Sequence, residues 1–112
     1  HCALMAPAAE KLRPALAAIA GADPAIPVVR NVDAGVTRTA AEVTPFLLHQ
    51  VASPVRWTEE VAALSKAFPN ATYVEAGPGA VLVGLVRKIA PAVRTMTCGT
   101  AAEVTQLLEL AA

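Results

Sequence analysis

The sequence predicts an α/β protein built on a thin, mainly parallel sheet with flanking helices. Three observations carry that expectation. Segments with helical spacing alternate with short runs rich in β-branched residues, in the order helix, strand, helix, helix, strand, helix, strand, helix. The breaks between them carry glycine, proline or a Thr-x-x-Glu capping pattern. Only three short strands are expected in 112 residues, which suits a piece of a larger α/β domain.

The first helix is expected over residues 3–20, with Leu4, Met5, Ala8, Leu12, Ala15, Leu16 and Ile19 on one face. Pro7 falls early enough to be tolerated, whereas Pro14 should kink the helix. Gly21 to Pro24 stops it. Residues 27–33 form the first strand candidate, through Val28, Val29 and Val32. Thr39 and Glu42 then form a capping box. The helix they start should run to about Val51, with Val43, Phe46, Leu47 and Gln50 on or near its buried side. Ser53 and Pro54 begin another helix, whose face is Trp57, Val61, Leu64 and Phe68.

Pro69 and Asn70 make a turn, and residues 72–76 a second strand. Gly77-Pro78-Gly79 is a tight turn into a helix striped by Val81, Leu82, Leu85, Val86 and Ile89. Residues 94–98 make a weaker third strand. Gly99 breaks it, and Thr100 with Glu103 caps a closing helix over residues 101–110.

Composition narrows the partners. The chain is 55% hydrophobic but only 4% aromatic, and much of the apolar share is alanine, which favours close helix packing. No apolar run approaches the ~20 residues of a spanning helix, so no membrane is expected. Nine basic residues balance nine acidic ones, which argues against a nucleic-acid surface. Cys2 and Cys98 fit no metal spacing, and two reduced, intracellular thiols are the expected state. The chain does not open on methionine, so its first residue is not read as a natural boundary.

Few residues suggest chemistry by themselves. His1 could act as a general base near neutral pH, although a histidine before a helix is unremarkable. His49 reads as a partly exposed helix residue. Cys2 beside His1 makes a poor nucleophile pair, because adjacent side chains usually diverge. The Gly77-Pro78-Gly79 turn could place backbone N–H groups near a phosphate, but Pro78 lacks a donor and no Lys-Ser/Thr pair follows, so a structural turn is favoured. Glu59 and Glu60 diverge on a helix and read as a solvated face, as do Arg87 and Lys88.

Four stretches read together resemble the malonyl-CoA:acyl carrier protein transacylases. They are residues 1–12 (HCALMAPAAEKL), 27–34 (PVVRNVDA), 50–58 (QVASPVRWT) and 74–82 (VEAGPGAVL). Order and spacing fit across essentially the whole chain. The resemblance implies the C-terminal segment of an α/β-hydrolase-like acyltransferase core, following an inserted ferredoxin-like subdomain. It implies transfer of malonyl from malonyl-CoA to the phosphopantetheine thiol of acyl carrier protein, through a malonyl-serine intermediate, in cytoplasmic fatty acid biosynthesis. His1 matches the general base, and Gln50 matches the residue whose backbone carbonyl orients it. Coenzyme A enters only as the substrate thioester. No tightly bound cofactor and no metal are expected.

The departures set limits. No Gly-His-Ser-X-Gly elbow occurs, and neither Ser53 nor Ser65 sits in such a turn. No arginine matches the one that pairs with the malonyl carboxylate. Ala80 stands where the family often has lysine. The nucleophile is therefore expected in an N-terminal portion of the same enzyme, and the 112 residues alone should be inactive. Two alternatives stay open. One is the acyltransferase of a polyketide synthase, as a domain or acting in trans. The other is a non-catalytic remnant that binds carrier protein.

Overall fold

A computed structural model describes residues 1–112, which divide into two compact units, His1–Glu60 and Val61–Ala112. In the first unit, a 3₁₀ turn (Ala3–Met5) leads into helix α1 (Ala6–Ala17). Pro7 lies in the first turn of α1, and Pro14 lies inside a helix that continues through it. The helix stops at Ala17, short of the residue 20 suggested by spacing, because the Ile19 N–H turns back to a tighter, three-residue bond. Ala18 donates to the Pro14 carbonyl and Ile19 to the Leu16 carbonyl, each at 3.2 Å.

The first strand candidate is shorter than expected and pairs differently. Strand β1 (Val28–Val29) lies antiparallel to a second short strand, β2 (Val36–Thr37), with Val28 opposite Thr37 and Val29 opposite Val36. Side chains turn the chain between them. The Arg30 guanidinium grips both oxygens of Asp33 at 2.9 Å and donates to the Val36 carbonyl at 3.0 Å. Asp33 also accepts the Gly35 N–H at 2.8 Å, and Ala34 takes φ 54°. A carboxylate held by a two-pronged guanidinium and an amide makes a stable turn. Arg30 and Gly35 hold the Asp33 carboxyl below its usual range.

Helix α2 (Ala40–Val51) follows. Glu42 accepts the backbone N–H of Thr39 at 3.2 Å and of Arg38 at 2.9 Å. Asp23, seventeen positions before Ala40, accepts the Ala40 N–H at 2.7 Å and supplies a second cap. Helix α1 packs on α2, where Ala9 and Leu48 are buried. The expected α1 stripe is only partly buried: Leu4 and Ile19 are exposed, and small alanines make the close approach.

Helix α3 (Trp57–Ala67) carries the division between the units. It begins at Trp57 rather than at Ser53, because the Arg56 N–H is drawn to the Asn31 carbonyl at 2.8 Å. Glu59 is exposed beside Arg56, as expected of a solvated residue. Glu60 corrects that reading. It is 5% exposed and lies on the same stripe as Trp57, Val61 and Leu64, because those positions share one helix face. Burial pushes its carboxyl pKa up.

In the second unit, strands β3 (Thr72–Ala76) and β4 (Arg94–Cys98) form a two-stranded parallel sheet, in register from Thr72 opposite Arg94 to Ala76 opposite Cys98. Helix α4 (Val81–Ile89) makes the crossover, and α5 (Ala101–Ala111) packs after β4. The sheet is thus two parallel strands, with the antiparallel hairpin separate from it, and not three strands together. The α4 face that is buried centres on Val83 and Val86, while Val81, Leu82 and Leu85 of the expected stripe are exposed. Gly99 permits the two strand ends to meet, since a Cβ there would strike the Gly77 carbonyl. Glu103 accepts N–H groups from Gly99 and Thr100, each at 2.9 Å, and also the hydroxyls of Thr97 and Thr100. These donors, the Thr97 hydroxyl foremost, lower its pKa to about 2.

Five apolar side chains are buried, whereas sixteen large ones are prominently exposed, among them Leu4, Ile26, Val81 and Leu110. No helix is long and apolar enough to cross a membrane.

Candidate active site

The site lies within the first unit. The Cys2 carbonyl accepts the Met5 N–H at 2.9 Å, which closes the 3₁₀ turn and sets the direction from which His1 enters. Packing of α1 on α2 then brings His1 to the C-terminal turn of α2. His1 Nδ1 lies 2.8 Å from the Gln50 carbonyl oxygen, although 49 positions separate the two residues. A carbonyl oxygen only accepts, so Nδ1 carries a proton and, in the neutral ring, Nε2 keeps its lone pair. His1 is exposed and Gln50 half-buried, so Nε2 is open to an incoming group.

The carbonyl's setting adds to its effect. Gln50 is in the last turn of α2, where carbonyls lack intrahelical partners and the helix end carries partial negative charge. Such an end favours an imidazolium by about 0.3–1 kcal/mol at an exposed position. The Ser53 N–H also reaches the Gln50 oxygen, at 3.3 Å. On its other flank Gln50 borders a cavity of about 330 Å³, together with Val29, Arg30, Asn31, Phe46 and Leu47. Arg30 stacks on Phe46 at 3.8 Å and is already paired with Asp33, so it brings no free charge to that cavity.

The other sequence candidates fall elsewhere. Cys2 is exposed and Cys98 partly so, and both are unbridged. The Ser53 hydroxyl donates to the His49 carbonyl at 2.8 Å and the Ser65 hydroxyl to the Ala62 carbonyl at 3.1 Å. In the Gly77-Pro78-Gly79 turn, both glycines take positive φ, 132° and 103°. The helix start that follows is already occupied: Glu75 on β3 accepts the Val83 N–H at 2.8 Å. A carboxylate at that helix start repels a phosphate and supports the reading as a structural turn. Spacing did not reveal the Glu75 and Asp23 caps, since each reaches its helix from a different element.

Comparison with known proteins gives a consistent result. No protein-family model matches the chain. The malonyl CoA-acyl carrier protein transacylase of Salmonella typhimurium is 44% identical over 89 residues, 80% of this chain and 28% of that protein. The acyl-carrier-protein S-malonyltransferase of Bartonella henselae superposes with a TM-score of 0.91 at 34% identity, over 98% of this chain and 35% of that one. A malonyl-transacylase solved in complex with its type II polyketide-synthase acyl-carrier protein superposes at 0.89 with 37% identity, again over 98% and 35%. The chain thus spans about 28% of the length of the Salmonella relative.

These likenesses, with the α/β fold, place the chain in a family whose named members are acyltransferases. Within that class it belongs to the malonyl CoA-acyl carrier protein transacylase family.

Proposed function

We propose that this chain is the C-terminal, histidine-bearing segment of an acyltransferase domain. The domain moves a malonyl group from malonyl-CoA to the phosphopantetheine thiol of acyl carrier protein, in cytoplasmic fatty acid biosynthesis. The serine nucleophile and a ferredoxin-like subdomain belong to an N-terminal portion outside these 112 residues. The observation that carries the reading is the 2.8 Å contact between His1 Nδ1 and the Gln50 carbonyl. The exposed apolar faces of α1, α4 and α5 support the existence of a larger partner surface.

In this mechanism His1 Nε2 takes the serine hydroxyl proton as the serine oxygen bonds to the malonyl carbonyl carbon. Collapse of the tetrahedral intermediate breaks the carbon–sulfur bond, and the coenzyme A sulfur leaves with the proton from Nε2. The phosphopantetheine thiol then gives its proton to Nε2, its sulfur bonds to the malonyl carbon, and the serine oxygen departs reprotonated. The cycle is ping-pong. Gln50 replaces the carboxylate of an ordinary triad. Its neutral carbonyl stabilises the imidazolium less than a carboxylate does, and the C-terminal charge of α2 offsets part of that difference. Coenzyme A is a substrate here, and the chemistry calls for no resident cofactor or metal.

A second carrier is favoured by one observation, the likeness to a transacylase solved with a polyketide-synthase carrier protein. Transfer assays against fatty-acid and polyketide carriers separate the two. The purified 112-residue chain is expected to transfer no malonyl, and the complete protein to transfer it readily. Malonyl transfer by the chain alone would overturn the placement of the nucleophile.

A further inference from the structure

We propose that Ser53 is a positioning residue that holds the Gln50 carbonyl on His1. This rests on the reading of His1 as the base, and adds the element that keeps the base in one tautomer.

The last four carbonyls of a helix have no partner within it. In α2 they include those of His49 and Gln50. Ser53 engages both. Its hydroxyl donates to the His49 carbonyl at 2.8 Å, and its backbone N–H donates to the Gln50 carbonyl at 3.3 Å. The longer of these contacts leaves the Gln50 oxygen able to take the shorter, 2.8 Å bond from His1. Pro54 follows directly and disfavours helical geometry at Ser53, so the chain leaves the helix at this point. Without the hydroxyl, the Gln50 carbonyl keeps only backbone contacts, from the Ala52 and Ser53 N–H groups. The hydroxyl is therefore the side-chain clamp on the final turn.

The consequence for the imidazole is specific. A carbonyl facing Nδ1 selects the Nδ1–H tautomer and leaves Nε2 free to accept a proton. A carbonyl that wanders lets the Nε2–H tautomer compete, and that form has no lone pair where the serine proton must go. Ser53 touches neither serine nor substrate in this scheme and acts through Gln50.

The test reads the tautomer directly. The complete transferase, labelled with ¹⁵N-histidine, is held above the histidine titration, and the two His1 ring nitrogens are assigned from their couplings to the ring protons. Wild type is expected to be mainly Nδ1–H. Ser53→Ala should lower the Nδ1–H to Nε2–H ratio about two- to tenfold, the equivalent of one ordinary hydrogen bond. Ser53→Thr keeps the hydroxyl and should restore the ratio. Should Ser53→Ala unfold, Ser53→Cys, with its weak S–H donor, gives the same readout. A lower melting temperature with an unchanged ratio means Ser53 only stabilises the helix end, and overturns the proposal. So does a lowered ratio that threonine fails to rescue. The readout is independent of catalysis. A moved ratio beside a fully active His1→Ala transferase keeps the Ser53 assignment and sinks the base. An unmoved ratio beside an inactive His1→Ala transferase does the reverse.

Discussion

Replacing Leu48 by alanine tests whether α1–α2 packing holds the site together. Leu48 is 8% exposed on α2 and lines a surface groove with Ala6, Ala9, Pro45 and Ala52, where α2 packs on α1. Leucine-to-alanine changes in cores cost about 2–5 kcal/mol, and the cost grows with the cavity left behind. Here a surface groove already runs along the contact, so water enters and neighbours relax, which puts the expected loss near ~2–3 kcal/mol. An intact domain of this length has a total stability of roughly 6–17 kcal/mol, and a piece of a larger domain has less, so the loss is a substantial fraction. At ~4 °C per kcal/mol, the melting temperature should fall by about 8–12 °C. Thermal unfolding followed by circular dichroism measures it. The same variant in the complete transferase should lose activity, because His1 reaches Gln50 only through that packing. A fall of less than ~2 °C would show that Leu48 is not structurally important and that something else holds α1 in place.

Three further outcomes follow from single contacts. Arg30→Lys removes the two-pronged grip on Asp33 and the stack on Phe46, and should cost about 1–2 kcal/mol, with Asp33 partly in water setting the lower end. Urea unfolding with an unchanged m-value reads this, and an unmoved midpoint contradicts it. Gly99→Ala should destabilise by about 1–3 kcal/mol, since the new Cβ meets the Gly77 backbone carbonyl and neither chain can yield cheaply; a neutral variant would sink the argument. Glu103 has a folded pKa of about 2 against an ordinary 4.5. Its contribution is therefore complete above pH 4.5 and lost as pH falls toward 2. Wild type should lose stability across that window more steeply than Glu103→Gln, and parallel curves would contradict the assignment.

The second unit was largely legible in the sequence. Its strands and helices lie where glycine, proline and capping signals placed them, because those signals are local. The first unit was less so. The strand expected over residues 27–33 ends at Val29, since Arg30 and Asp33 bond to each other and turn the chain. Nothing in β-propensity reports a side-chain pair of that kind. Glu60 departs from expectation for a related reason: residue type marks glutamate as solvated, while helix geometry puts it on a buried stripe. The site was the least legible part. A backbone carbonyl has no residue signature, so the pairing of His1 with Gln50 came from family resemblance, and only three-dimensional packing brings the two within 2.8 Å. The Ser53 hydroxyl, bonded to a carbonyl four positions back, had no reason to stand out among the chain's other hydroxyls.

The most direct test of the central claim is the burst of coenzyme A released when the complete transferase meets malonyl-CoA without carrier protein. That burst reports formation of the malonyl-serine alone. His1→Ala should slow it by about 10² to 10⁴ while the enzyme stays folded. A burst at the wild-type rate would show that His1 is not the base.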